Sequence, residues 1–203
     1  MKRLIILCLT PCLILILTTS LSMRSQITLK APKSFRVPAP KVVNYKDTIM
    51  SIEKEQLRTL IRDVLKSIDL YSGAAQELLM LTSAVESNCG SYITQVGGPA
   101  QGIFQMEPAT HDDIWDNYLR YNHQLALKIL NLRMTSSTAD LNQRGNLPYQ
   151  IAMARVHYLR VKEALPHHTD IPQLARYWKQ YYNTNLGKGT KLKAINKYNR
   201  YAV

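Results

Sequence analysis

The stretch GAAQELLMLTSAVES, from Gly73 to Ser87, decides the fold of this chain. Its second half is apolar on nearly every face, through residues 78–81 and again at Ala84. A helix that is hydrophobic all round is typically buried on all sides. Asn88-Cys89-Gly90 follows, and asparagine and glycine favour the left-handed conformation that ends helices. We therefore expect a central, buried helix from about Gly73 to Ser87.

Glu86 is the exception within this helix. A carboxyl group at the end of an apolar helix is partly removed from water, and burial raises its pKa because the charged form loses hydration. The C-terminal end of a helix also disfavours negative charge, so both effects favour the protonated form. Such a group is suited to act as a general acid. The alternative is an exposed glutamate without a chemical role.

The residues after this helix predict a small β-hairpin. Tyr92, Ile93 and Thr94 favour strand, and Gly97-Gly98-Pro99 forces a turn. The rest of the body shows helical periodicity, without the strand–helix alternation that a parallel sheet requires. We therefore predict a mainly α fold, a helical bundle with one small β-hairpin after the central helix.

Helix start and stop signals divide the rest of the body. Apolar residues recur from Leu57 to Ile68 at three- and four-residue spacing, and Ser51 is the predicted N-cap of that helix. A polar loop is predicted from Thr135 to Asn146. One further helix is predicted to begin near Thr110. The others are predicted from about His123 to Arg133, from Asn146 to Leu165, from Asp170 to Tyr182 and from about Thr190 to Tyr198.

The basic charge of the chain lies at its ends. The 203 residues include 26 Lys and Arg against 14 Asp and Glu, a net charge of +12. Residues 51–185 carry 13 basic and 13 acidic side chains, whereas residues 186–203 carry five basic side chains and no acid. A neutral body argues against nucleic acid as a partner, since that needs a basic face. The basic ends favour attraction of the chain to an anionic surface such as phospholipid or a cell-wall polymer. The alternative is that these charges only aid solubility.

The first 22 residues predict a signal peptide or an N-terminal membrane anchor. Lys2 and Arg3 precede an uncharged, apolar run over residues 4–21, which is also about long enough to span a bilayer. The positive-inside rule places the rest of the chain outside the cytoplasm. Residues 23–50 predict a basic, proline-containing linker, and residues 51–203 predict the folded domain. We therefore expect an exported protein.

Few cofactor chemistries fit the sequence. It shows no glycine-rich phosphate loop, no Cys or His spacing typical of a metal site and no nucleophile elbow. Cys89 is the one cysteine outside the predicted signal, and a buried apolar role suits it better than a nucleophilic one. We therefore predict neither a metal nor another cofactor.

A lone glutamate with a raised pKa is typical of sugar cleavage, where it protonates a glycosidic oxygen. The chain also holds neutral hydrogen-bonding side chains, such as Gln95, Gln105 and Thr110, and 12 tyrosines against two phenylalanines. These residues suit a polar groove lined by rings.

Two motifs carry a resemblance to a known family. Ala84-Val85-Glu86-Ser87 is followed by Gly102-Ile103-Phe104-Gln105-Met106-Glu107-Pro108, with Gln105 19 positions after Glu86. This pattern resembles the soluble lytic transglycosylases, a lysozyme-like family that cleaves bacterial peptidoglycan. Tyr181-Tyr182-Asn183-Thr184 is similar to a later motif of that family, although Thr184 departs from its usual alanine. Gly97-Gly98-Pro99-Ala100 resembles a branch of that family found in bacteriophage proteins, so a phage-encoded origin is a further expectation.

The resemblance implies an α+β lysozyme-like fold and a single-carboxylate reaction. Glu86 would protonate the oxygen between N-acetylmuramic acid and N-acetylglucosamine, and would then take the C6 hydroxyl proton to give a 1,6-anhydro product. The resemblance implies that Ser87, Gln105, Tyr182 and Asn183 bind or position the substrate. Peptidoglycan glycan strands would be the partner, in the periplasm or at the outer face of the cytoplasmic membrane.

Two alternative functions stay open. Glu107 would be a second carboxylate in a hydrolytic muramidase, although a surface position before Pro108 is the competing expectation. The other alternative is a module that binds peptidoglycan without cleaving it, and a protonated acid has no use in such a module. The sequence indicates neither an endo or exo mode of cleavage nor an oligomeric state.

Overall fold

The structure is a computed structural model that describes residues 51–135, 137–183 and 187–203. The signal or anchor predicted for residues 1–22 and the linker predicted for residues 23–50 lie outside the described residues. In the part of the chain that is described, the helices are all too short or too polar to cross a membrane.

Helices make up most of the described chain, which confirms the predicted mainly α class. The α-helices of the described residues are α1 (Lys54–Ser67), α2 (Gly73–Ser87), α3 (Pro108–Asn117), α4 (His123–Leu130), α5 (Ala139–Gly145), α6 (Leu147–Leu159), α7 (Ile171–Trp178) and α8 (Lys191–Tyr201). A 3₁₀ turn, Leu119–Tyr121, precedes α4, and a π-helical turn, Lys179–Asn183, continues α7.

The central helix is α2, and its predicted bounds are confirmed. The Ser72 hydroxyl caps its start by accepting a hydrogen bond from the backbone N–H of Ala75 at 3.0 Å. Asn88 ends it in the left-handed conformation, with a φ of 55°. Between these caps α2 is buried against α1, α6, α7 and α8. Glu86 therefore lies in a turn of helix that other elements surround.

The bounds of several helices differ from the predicted ones, most clearly in α1 and α6. α1 begins at Lys54, and Glu53 rather than Ser51 is its N-cap, because the Glu53 carboxylate accepts the N–H of Gln56 at 2.9 Å. α6 ends at Leu159 and not at Leu165. The chain beyond it turns towards α7, where the Tyr177 hydroxyl donates to the backbone carbonyl of Glu163 at 2.8 Å.

The polar loop predicted from Thr135 to Asn146 was wrong, because residues 139–145 form α5. Thr138 caps this helix by accepting the N–H of Leu141 at 3.2 Å. Asn142 is fully buried, and its side-chain oxygen accepts the N–H of Met134 at 2.9 Å. The helix is therefore fixed by polar contacts with its own surroundings, which apolar periodicity does not detect.

The segment from Ser91 to Met106 makes two isolated antiparallel bridges, Thr94 with Gln101 and Gln101 with Met106. The described residues contain no regular strand, so the predicted hairpin is reduced to these bridges. Gly102 has a φ of +75°, and a Cβ there would lie 2.4 Å from the Gln143 backbone oxygen. Such tight turns interrupt the ladder of hydrogen bonds before strands can extend.

The basic C-terminal stretch is part of the folded body. α8 packs against α2 and α7. Its Tyr198 hydroxyl donates to Glu77 Oε2 at 2.6 Å, and Arg58 pairs with the same carboxylate. The Arg58 guanidinium also donates to the backbone oxygen of Ala202 at 2.7 Å. These bonds hold the C-terminal part of α8 against α1 and the first half of α2.

Candidate active site

Glu86 opens onto a cavity of about 690 Å³. It occupies the last turn of α2, one residue before the end of that helix. The remaining wall comes from the segment after α2, the start of α3, the side of α6 and the turn after α7. The lining residues are Glu86, Gln95, Ala100, Gln105, Met106, Glu107, Thr110, His157, Tyr182, Asn183, Gly187 and Lys188.

The Glu86 carboxyl group titrates near neutral pH. Burial raises its pKa from the ordinary 4.5 to about 7, because the carboxylate loses hydration. A hydrogen bond from Trp178 and the positive charge of Lys193 both act in the opposite direction. Since burial is the largest of these effects, a substantial share of the molecules carries a protonated Glu86 at pH 7.

Trp178 fixes the orientation of this carboxyl group. Its indole Nε1–H donates to Glu86 Oε1 at 2.9 Å. The ring is fully buried at the end of α7, so it provides no aromatic face for a sugar. Its role in the site is that of a hydrogen-bond donor, which the sequence alone did not reveal.

Tyr182 stands in the wall beside Glu86. Its hydroxyl donates to the backbone oxygen of Phe104 at 2.8 Å, which joins the turn after α7 to the segment after α2. The ring packs edge-on against His157, with 4.8 Å between centroids, and in a tilted arrangement against Tyr158 at 5.3 Å. The Glu86 carboxylate is near enough to raise the Tyr182 pKa, although burial is the larger cause. The structure thus brings two of the predicted site residues together.

Gln105 also lies in the cavity wall, on a strained turn. Its φ is +46°, a left-handed conformation that costs energy for a residue with a side chain. Its side-chain Nε2 donates to the backbone oxygen of Gly102 at 2.7 Å. Within the described residues no hydrogen bond takes up its side-chain oxygen, which leaves an acceptor at the cavity.

Asn183 lines the cavity at the end of the π-helical turn. The Lys179 ammonium donates to the Asn183 side-chain oxygen and to the Gly187 backbone oxygen, each at 2.8 Å. These bonds hold together the two described ends that flank residues 184–186. Asn183 therefore stands in the predicted wall, with its oxygen already bonded within the protein.

Ser87 is placed differently from the prediction that it binds substrate. It is fully buried and does not line the cavity. Its hydroxyl donates to the backbone oxygen of Ile103 at 2.6 Å and accepts the backbone N–H of Gly90 at 2.9 Å. Ser87 therefore ties the end of α2 to the segment that carries Gln105, and it acts on the site through that segment.

A second concavity of about 200 Å³ is also lined by Glu86. It shares Glu86, Gln95 and Gln105 with the larger cavity and adds the exposed side chains of Tyr92 and Val96. Glu86 therefore borders both concavities, which together we name the Glu86 groove.

His157 is a cavity residue that the sequence did not single out. Its Nε2 lies 2.9 Å from the Tyr181 backbone oxygen, so this nitrogen carries the proton of the neutral ring. Burial lowers the His157 pKa. The ring is therefore neutral at pH 7 and acts as a polar wall beside Tyr182. Its place on α6 offered no signal, since a single histidine among apolar residues is most often part of a core.

Glu107 is exposed, as predicted, and it also lines the cavity that contains Glu86. It precedes α3 as the N-cap residue, without a side-chain capping bond. The structure thus places a second carboxyl group in the same cavity. The described residues contain no cluster of three or more His, Cys, Asp or Glu side chains that could hold a metal ion.

Comparisons with family models, with curated proteins and with solved structures return no match for this chain.

Proposed function

We propose that this chain is a peptidoglycan lytic transglycosylase with a lysozyme-like fold, and that Glu86 is its single acid and base. The observation that carries the proposal is a carboxyl group with a pKa of about 7 that lines both concavities of the Glu86 groove. A group that titrates near neutral pH both gives and takes a proton readily. The motif resemblance supplies the substrate class.

The hydrogen bond from Trp178 decides which oxygen of Glu86 carries the proton. Because Oε1 accepts the indole N–H, the acidic proton resides on Oε2. Glu86 donates this proton to the glycosidic oxygen between N-acetylmuramic acid and N-acetylglucosamine. As the bond breaks, the carboxylate that forms is stabilised by Trp178 and by the charge of Lys193.

The second half of the reaction needs no second carboxylate. The acetamido group of the substrate stabilises the positive centre, as in substrate-assisted glycosidases. Glu86, now a base, removes the proton of the C6 hydroxyl, which closes the 1,6-anhydro ring. Gln105 offers an acceptor to the sugar, and Tyr182 and Asn183 hold the opposite wall.

Glu107 supports a second candidate, a hydrolytic muramidase. Its carboxyl group lines the same cavity as Glu86, so it is available to activate a water molecule. In that mechanism the products carry a reducing end, because water completes the reaction.

The products of digestion distinguish the candidates. We expect the full-length chain to release anhydro-muropeptides from purified peptidoglycan, each lighter by one water than a reducing muropeptide, as read by mass spectrometry. Glu86→Gln should abolish release, because the amide cannot donate the proton. Glu55→Gln removes an exposed carboxylate from α1 and is the matched control.

Three other outcomes contradict the proposal. Reducing ends that disappear in Glu107→Gln indicate the muramidase. Binding of peptidoglycan without release by the wild-type chain indicates a non-catalytic module. Release that persists in Glu86→Gln removes Glu86 from the reaction.

The proposal includes a location. The substrate lies outside the cytoplasmic membrane, and residues 1–22 would deliver the domain there as a signal or an anchor. Cell fractionation, followed by measurement of the mass of the mature chain, tests both statements.

A further inference from the structure

A separate concavity of about 340 Å³ lies on α8, outside the groove at Glu86. Three of its side chains are cations, Lys193, Lys197 and Arg200, which we name the α8 cluster. Positions three and four apart share one face of a helix, so these cations lie side by side. The full lining is Thr190, Leu192, Lys193, Asn196, Lys197 and Arg200.

The cations of the α8 cluster form no salt bridge within residues 51–135, 137–183 and 187–203. α8 itself contains no Asp or Glu. The Lys197 ammonium donates to Asn88 Oδ1 and lies 5.2 Å from the centre of the Tyr201 ring. Burial is the largest cause of the lowered pKa of Lys197, and the nearby positive charges of Lys193 and Arg200 add to it. Crowded positive charge of this kind is typical of a site for an anionic ligand.

The α8 cluster is coupled to the groove at Glu86. The charge of Lys193 is near enough to lower the pKa of the Glu86 carboxyl group. Lys188, which precedes α8, lines the large cavity together with Glu86. A ligand in the groove therefore has positive charge along its α8 side.

The rest of the lining suits a peptide. The side-chain amide of Asn196 is able to bond both groups of a peptide unit. Leu192 is 68% exposed and offers an apolar contact to a small aliphatic side chain. Free phosphate makes no use of such a contact, and a single leucine provides too little apolar area to anchor a helix in a membrane.

We propose that the α8 cluster binds the carboxylate groups of the peptide branches that are attached to the glycan in the Glu86 groove. The identity of this ligand rests on the proposed function. The site then selects glycan strands that still carry their acidic peptides. Cleavage of the glycan and recognition of its branches would thus use two different surfaces of the chain.

Binding of a free stem tetrapeptide tests this inference without any cleavage. The full-length chain, as Glu86→Gln, is titrated with an acidic tetrapeptide of the L-Ala-γ-D-Glu type and separately with peptide-free glycan chains. Lys193→Gln and Arg200→Gln should each weaken tetrapeptide binding about fivefold. Arg200→Gln, which lies further from Glu86 along α8, should leave glycan binding within about twofold. Lys191→Gln removes a charge of α8 outside the concavity and should change neither.

The outcomes separate this inference from the proposed function. Tetrapeptide binding that depends on Lys193 and Arg200, in a chain that releases no muropeptides, supports the α8 cluster and contradicts the transglycosylase. Absence of tetrapeptide binding, or equal binding by all variants with unchanged melting temperatures, overturns the inference. Binding to phosphatidylglycerol vesicles that needs the same two cations, with no tetrapeptide binding, overturns it in favour of a membrane surface.

Discussion

The Glu86→Gln substitution is expected to make the free energy of unfolding less dependent on pH. In the folded protein burial holds the pKa of Glu86 at about 7, against 4.5 for the same group in water. Between these two values the folded chain keeps a proton that the unfolded chain releases. Stability contributed at Glu86 therefore falls as the pH rises from about 4.5, and it levels off above about 7.

The size of this effect follows from the two pKa values. They differ by about 2.5 units, and each unit corresponds to about 1.4 kcal/mol. Wild-type protein should thus lose ~3 kcal/mol relative to Glu86→Gln between pH 4 and pH 9. Glutamine keeps an oxygen that accepts the Trp178 N–H, so the variant preserves the packing and removes only the ionisation.

The assay is urea unfolding of wild type and variant at a series of pH values, followed by tryptophan fluorescence. The difference between the two proteins cancels the other titrating groups, such as His157, whose lowered pKa acts in the opposite direction at acidic pH. Glu55→Gln controls for the loss of one exposed negative charge. A difference that does not change with pH would refute the argument, because Glu86 would then be an ordinary hydrated carboxylate.

Three further substitutions test the contacts around the site. Trp178→Phe removes the N–H that lowers the pKa of Glu86, so the pKa of Glu86 should rise. In a plot of cleavage rate against pH, the fall on the alkaline side should therefore move to higher pH by about one unit. A hydrogen bond to a charged group contributes about 1.5–3 kcal/mol, which corresponds to a shift of this size. Ser87→Ala leaves the Ile103 carbonyl without its hydrogen-bond donor and should lower the free energy of unfolding in urea by about 1–3 kcal/mol. The peptidoglycan concentration that gives half the maximal cleavage rate should change little. Tyr149→Phe leaves a buried imidazole nitrogen and a tryptophan N–H without their common partner and should also cost about 1–3 kcal/mol, with an unchanged pattern of muropeptides.

Each of these substitutions has a distinguishing control. For Trp178→Phe, the rate is compared with Trp115→Phe, which removes the other tryptophan N–H, one that donates to Tyr149 and not to Glu86. An equal shift of both pH profiles would contradict the assigned hydrogen bond. For Ser87, the Thr variant keeps a hydroxyl group, and a loss of activity without loss of stability in Ser87→Ala would restore a direct contact with substrate. For Tyr149, altered products would mean that its buried network reaches the active site.

The sequence predicted the bounds of α2 and its end at Asn88 because one apolar segment and the residues directly after it carry the signal. Ser72 and Asn88 act through bonds to residues within a turn of their own position. α5 was missed because its stability comes from the buried side chain of Asn142, whose bonds to Met134 are invisible to apolar periodicity. Local patterns therefore predict what local interactions decide.

The same distinction applies to the site. The raised pKa of Glu86 followed from its position in an apolar helix, and the structure gives the same direction. Trp178 is 92 residues away in sequence, so no pattern around Glu86 could indicate its hydrogen bond. Ser87 was assigned to the substrate because it follows Glu86 in the motif that resembles the lytic transglycosylases. On a helix, however, adjacent residues point in different directions, and Ser87 points into the core.

The position of Glu86 also explains why the surrounding contacts are polar and numerous. A carboxyl group held at a pKa near 7 opposes folding whenever it is ionised, so the end of α2 needs compensating interactions. Ser87 supplies one by bonding Ile103 across the turn, and Tyr182 supplies another by bonding Phe104. Both bonds attach the segment that carries Gln105 to the helix or to the turn after α7. The contacts that offset the cost of Glu86 are therefore the same contacts that shape the groove, and the unfolding experiment on Glu86→Gln measures the cost that they offset.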